Sequence, residues 1–173
     1  MLFKKSVMTA AVFAVGSFAV MSANAGTAIG TVPVSVEVQA ICDVNASTPE
    51  LTIDAIKGGK AVANTTGGSA MLTINCSKGA LPRIGLQPNS TKSALGIGEM
   101  TGETSLEKIK YKLTSVSSSG GIWGSTDGVN TVAPAASTGY ADNIDNTIYA
   151  TITETADVAP DTYSDIINVS ILY

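Results

Sequence analysis

Five stretches of this chain alternate apolar with other side chains at a period of two residues, the spacing of a β-strand with one face turned to a core. TVPVSVEVQAIC carries Val32, Val34, Val36, Val38, Ala40 and Cys42 against Pro33, Ser35, Glu37, Gln39 and Ile41. SAMLTINCS sets Met71 opposite Leu72, Ile74 and Cys76, and IKYKLTSV sets Ile109, Tyr111 and Leu113 against Lys108, Lys110 and Lys112. TIYATIT follows from Thr147, and the chain finishes on INVSILY, with Ile167, Val169, Ile171 and Tyr173 on one face and Asn168 and Ser170 on the other. Shorter candidates are Leu51–Ile53 and RIGLQ from Arg83. No long segment shows the 3.6-residue period of an amphipathic helix.

The segments between these strands, KGGKAVANTTGG, QPNSTKSALGIGEMTGETS and SSSGGIWGSTDGVNTVAPAASTGYADNIDN, have turn and loop compositions. Six or seven short strands separated this way predict an antiparallel sandwich of immunoglobulin-like type. The last strand is peculiar in such a sandwich. It is apolar on one face, no strand follows it, and a free apolar edge invites pairing with another chain.

The first 25 residues stand apart. Lys4 and Lys5 precede an apolar run from Val7 to Met21 and the small-residue site Ala23-Asn24-Ala25. This predicts a secretory signal peptide over 1–25, cleaved after Ala25; the run is short for a membrane span. The remaining 148 of the 173 residues suit one domain. Without Lys4 and Lys5 there are 8 basic and 14 acidic groups, a net charge of −6. An acidic chain with no basic cluster offers no surface to nucleic acid. It contains no histidine, the commonest general base and metal ligand. Export makes a disulfide between Cys42 and Cys76 the expected state. The entropic model assigns such a loop about 3–4 kcal/mol. The other reading, two free thiols serving a metal or redox chemistry, lacks both a C-x-x-C pair and further ligands.

No constellation for catalysis emerges. Gly96-x-Gly98-x-x-x-Gly102 opens no helix and reads as a loop rather than a phosphate cradle. Asp142, Asp145 and Asn146 lack the spacing of a calcium loop and read as solvated turn residues. Paired carboxylates for glycoside hydrolysis would call for a cleft dressed with aromatics, and the chain has one tryptophan. Trp123 in GIWGS reads as a core anchor. No enzyme activity, cofactor or metal is expected.

The two ends of the exported chain complement each other. A flexible Gly-Thr-Ala-Ile-Gly leads into alternating valines at the front, and a strand with an unpaired edge closes the back. A sandwich one strand short exposes a groove beside its terminal strand. A segment with Val at every second position can fill that groove in another copy, and a head-to-tail contact of this kind does not close into a ring. Ala28, Gly30, Val32, Val34 and Val36 share one parity and are the expected donor residues. Ile167, Val169, Ile171 and Tyr173 are the expected acceptor strand.

The pieces LTINCSKG (72–79), KYKLTSVSSSGGIWG (110–124), TIYATI (147–152) and PDTYSDIINVSILY (160–173), with VSVEVQAICDV (34–44), resemble the spore coat protein U-like domain of archaic chaperone–usher pilins. That resemblance covers most of the exported chain, and its terminal motif is the most specific part. It implies an incomplete immunoglobulin-like fold lacking its last strand, a periplasmic chaperone that caps the groove and an outer-membrane usher. It further implies donor-strand exchange between identical or homologous subunits into a surface pilus that supports attachment and biofilm formation. Tyr163-Ser164-Asp165 matches the family pattern, whereas Asp161 stands where such domains often have Gly. The expected organisation is a signal peptide over 1–25, a donor arm over 26–36 and the incomplete domain over 37–173. The other reading is a minor adaptor or a tip-associated adhesin module of such a pilus.

Overall fold

The computed structural model describes residues 27, 29–45, 51–53, 63–64 and 67–173. The leader and Ala28 lie outside the described residues. The chain forms two units, Met1–Glu37 and Val38–Tyr173. In the first, residues 29–37 are exposed and form no strand.

The second unit is built from β1 (Cys42–Val44), β2 (Gly67–Cys76), β3 (Arg83–Pro88), β4 (Ile97–Gly102), β5 (Lys108–Ser115), β6 (Asn143–Ile152), β7 (Tyr163–Ser164) and β8 (Ile167–Leu172). None of the described residues is helical. Every pairing among these strands is antiparallel. One sheet has the order β1-β2-β6-β5-β4-β7, and the other consists of β3 and β8.

Alternation along each strand decides what is buried. Leu72, Ile74 and Cys76 of β2, Tyr111 and Leu113 of β5, and Ile148 and Ala150 of β6 pack with Ile84 and Leu86 of β3. The lysines of β5 stay outside, where Lys108 pairs with Glu99 and Lys110 with Glu154. Such exposed pairs contribute little. Trp123 is buried among the core residues, and its Nε1–H donates to the Ile84 carbonyl at 2.8 Å. It is the anchor its sequence context suggests, with its polar atom satisfied.

Several sequence expectations need correction. The long alternating run Val32–Cys42 is not a strand; pairing begins at Cys42, opposite Cys76, where β2 ends. Ser77 closes the ladder, donating its N–H to the Ile41 carbonyl and accepting the Ile41 N–H on its Oγ. Further back the run has no partner strand among the described residues, and alternation alone cannot hold a strand without one. Leu51–Ile53 is likewise no strand, although Leu51 and Ile53 pack half-buried against the core.

Conversely, β4 lies inside a stretch whose composition reads as loop, and β6 begins at Asn143 rather than Thr147. Asp145 and Asn146 are therefore strand residues, and Asp145 accepts from Thr73 Oγ1 on β2 at 2.6 Å. The glycines around β4 are packing glycines. Gly96 sits at φ +68°, and a Cβ there would run into the Trp123 carbonyl oxygen. A Cβ at Gly98 would meet the Tyr111 ring at 2.5 Å.

Candidate functional site: the open edge of β8

Cys42 and Cys76 are joined by a disulfide, which ties β1 to the end of β2. The exposed N-terminal segment runs into the chain just ahead of this staple. Gly30, Val32, Val34 and Val36 all lie in that segment, and Val32 and Val34 are 86% and 94% exposed. Four valines at successive alternate positions (Val32, Val34, Val36, Val38) are left in water, a contiguous apolar run rather than scattered surface residues.

A second unpartnered feature is β8, which among the described residues pairs only with β3. The far edge of β3 is already covered: Ile84 exchanges both backbone hydrogen bonds with Val132, and Leu86 N–H donates to the Gly124 carbonyl. Because the N–H and C=O of one strand residue point the same way, Ile84 and Leu86 face away from β8. Their opposites, Ile171 and Val169, therefore belong to non-hydrogen-bonded pairs and direct their own N–H and C=O groups to the outer edge. Ile167, opposite Pro88, follows the same alternation. No acceptor or donor for these edge groups is found among the described residues.

The same three residues turn their side chains inward. Ile167, Val169 and Ile171 are half-buried and pack against the main core, while Asn168, Ser170 and Leu172 are exposed. Each of the three thus presents a free backbone edge and an incompletely covered apolar side chain. Tyr173 lies past the end of β8 and is 59% exposed. The structure brings Ile167, Val169 and Ile171 together on one strand and leaves Tyr173 as its exposed extension.

The edge of β4 is treated differently. β7 covers only Thr101 and Gly102 of β4. Beyond them, Ser90 Oγ accepts the Glu99 N–H at 3.0 Å, and Thr91 Oγ1 donates to the Ile97 carbonyl at 2.6 Å. Side-chain hydroxyls thereby blunt the β4 edge. Among the described residues nothing comparable covers β8.

The approach to β8 is held by carboxylates that sequence reading did not single out for this task. Asp161 accepts the N–H groups of Thr104 and Ser105 at 2.8 and 2.7 Å, and the bonds from Ser105 and Thr104 pull its pKa down to about 2. The residue that departs from the family pattern therefore fastens the β4–β5 hairpin to the segment entering β7. Asp165 receives four donors: the Ser90 and Ile166 N–H groups on Oδ1, and Ser90 Oγ and the Tyr111 hydroxyl on Oδ2. Burial, and then the hydrogen bond to Asp165, hold the Tyr111 hydroxyl far above the ordinary tyrosine range. Partners 75 and 54 residues apart leave no local signal for this cluster.

The sequence profile of the Spore Coat Protein U domain matches residues 28–170. Among solved structures, the chain is similar to one in the crystal structure of the CsuC–CsuE chaperone–tip adhesion subunit pre-assembly complex, from archaic chaperone–usher Csu pili of Acinetobacter baumannii. The match has a TM-score of 0.53 at 16% identity and covers 79% of this chain and 40% of that one. At that identity the likeness is one of fold, and this chain spans about two-fifths of its neighbour's length. No curated protein sequence matches the chain.

Proposed function

The chain belongs to the Spore Coat Protein U domain family, and from that premise we propose that it is a structural, non-enzymatic pilin subunit that polymerises head-to-tail by donor-strand exchange. The observation that carries this reading is β8, whose Ile167, Val169 and Ile171 combine an open backbone edge with half-buried core-facing side chains. The donor is the segment 26–36 of another copy, placing Ala28, Gly30, Val32, Val34 and Val36 along that edge. Main-chain hydrogen bonds supply affinity, and the valines complete the core. Residues 1–25 are a signal peptide, and 37–173 form the incomplete domain.

Before assembly the same edge needs a surrogate strand, which a periplasmic chaperone provides, and an outer-membrane usher releases the subunit into the growing fibre. The chaperone partner is supported by the similar fold found in the chaperone–subunit complex. The product is a surface pilus of the archaic chaperone–usher type, serving attachment and biofilm formation. That the matched complex contains a tip adhesion subunit favours, as the second reading, a tip-associated or adaptor role in the same pilus.

The deciding experiment is electron microscopy of the chain purified with its chaperone and then released from it. Long thin fibres are expected. A chain that stays soluble, monomeric and cooperatively folded after deletion of residues 26–36 would overturn the reading, because a strand-deficient sandwich does not persist uncapped.

A further inference from the structure

The strand proposed as acceptor has an anchor of its own, separate from its ladder to β3. Asp165, two residues before β8, is half-buried and accepts four hydrogen bonds that reach three parts of the fold. Tyr111, fully buried on β5 of the larger sheet, donates its hydroxyl at 2.8 Å. Ser90, in the β3–β4 connection, donates both its N–H and its hydroxyl, and its Oγ also accepts the Glu99 N–H of β4. Asn89 N–H adds a bond to the Ile166 carbonyl at 2.7 Å. The Tyr111 ring is itself fixed, lying against the bare Cα of Gly98. Hydrogen bonds to a carboxylate are the stronger kind, and a fully satisfied network defines one geometry.

The other end of β8 has no such anchor among the described residues: Leu172 and Tyr173 are 42% and 59% exposed, and pairing stops at Arg83 opposite Leu172. A strand bonded on one side only is prone to fraying. We propose that Asp165, Ser90 and Tyr111 form a latch that pins the N-terminal end of β8 to the six-stranded sheet. They act as positioning residues, holding Ile167 and Val169 at the open edge while no donor strand is present. The inference rests on the reading of β8 as acceptor for its purpose, whereas the pinning itself is measurable independently.

The test is amide hydrogen exchange on the full exported chain held by its chaperone, comparing the native protein with Tyr111→Phe, Ser90→Ala and Ser90→Thr. Tyr111→Phe keeps the ring on Gly98 and removes only the donor; Ser90→Thr restores the hydroxyl that Ser90→Ala deletes. A latch predicts about tenfold faster exchange of the Asn168 and Ser170 amides, which face β3 in the ladder, in Tyr111→Phe and Ser90→Ala, the effect of one lost hydrogen bond to a charged group. It also predicts unchanged exchange in the β2–β6 ladder and recovery in Ser90→Thr. Exchange that rises equally in all strands, or not at all, overturns the latch. A synthetic peptide of residues 26–40 is then added to the native protein. If it fails to protect the β8 amides, the acceptor reading fails, while the latch stands or falls on the local exchange alone.

Discussion

Replacing Val34 by Asp separates the subunit from the polymer more cleanly than any other change. Val34 is 94% exposed and Val32 86% exposed in the chain by itself, so neither substitution removes a contact from the subunit. Its stability should move by no more than about 0.5 kcal/mol. In the groove of a neighbouring copy, burying one Val stabilises by about 1.5–3 kcal/mol, and an unpaired carboxylate adds a desolvation cost of several kcal/mol. Losing the Val alone weakens the donor roughly 10- to 100-fold, and burying the charge should abolish insertion. The assay has two arms. Thermal melting of the chaperone–subunit complex should be the same for native, Val32→Asp and Val34→Asp chains, because the edge of β8 is untouched. Fibre growth after chaperone release, followed by light scattering and electron microscopy, should fail for both variants. Ser35→Asp, of opposite parity, is the control and should polymerise. If Val32→Asp and Val34→Asp form fibres at the native rate and length, the donor register is wrong. If Ser35→Asp alone fails, the register is off by one residue.

Three further outcomes follow from the domain itself. Replacing Cys42 and Cys76 together by Ser should lower stability by about 3–4 kcal/mol, read as an earlier urea midpoint of the chaperone-bound subunit; an unchanged midpoint would deny the staple any role. Gly96→Ala should cost about 2–4 kcal/mol, because φ +68° and the Trp123 carbonyl in the way of the new Cβ act together. Gly128→Ala, at φ +68° but with open space around it, should cost only about 1–2 kcal/mol; equal losses would dismiss the steric part. Tyr111, whose folded pKa is raised by burial and by Asp165, stays protonated where an unfolded tyrosine ionises. Its contribution to stability is complete below pH about 10 and is lost as the pH rises further. In an ultraviolet titration it should ionise last and together with unfolding, and Tyr111→Phe should remove that last step. A tyrosine at position 111 that titrates with the exposed ones would contradict its burial.

How much of this was legible beforehand depended on where the physical cause resides. Period-two alternation follows from strand geometry, so β2, β5 and the β8 face were readable from spacing: Leu72, Ile74 and Cys76 go in while Met71 stays out. The same signal misled in Val32–Cys42, because alternation states which face is apolar and not whether a partner is present to pair with. Composition misled at β4: Gly96 and Gly98 look like loop residues, yet they are small because Trp123 and Tyr111 pass over them. The donor parity and the terminal strand came from local pattern and from a family resemblance; the matching profile bears out the family. Neither could reveal which edge of β8 is free. That is decided by Val132 and Gly124, which occupy the far side of β3 and so leave the N–H and C=O groups of Val169 and Ile171 facing outward. Nor could they reveal the clasp of Asp165 on Ser90 and Tyr111. Spacing along the chain sets the face of each strand, because that is geometry between neighbours. Which edges are covered and which carboxylate is satisfied are set by residues tens of positions away, brought together only when the two sheets close on one core.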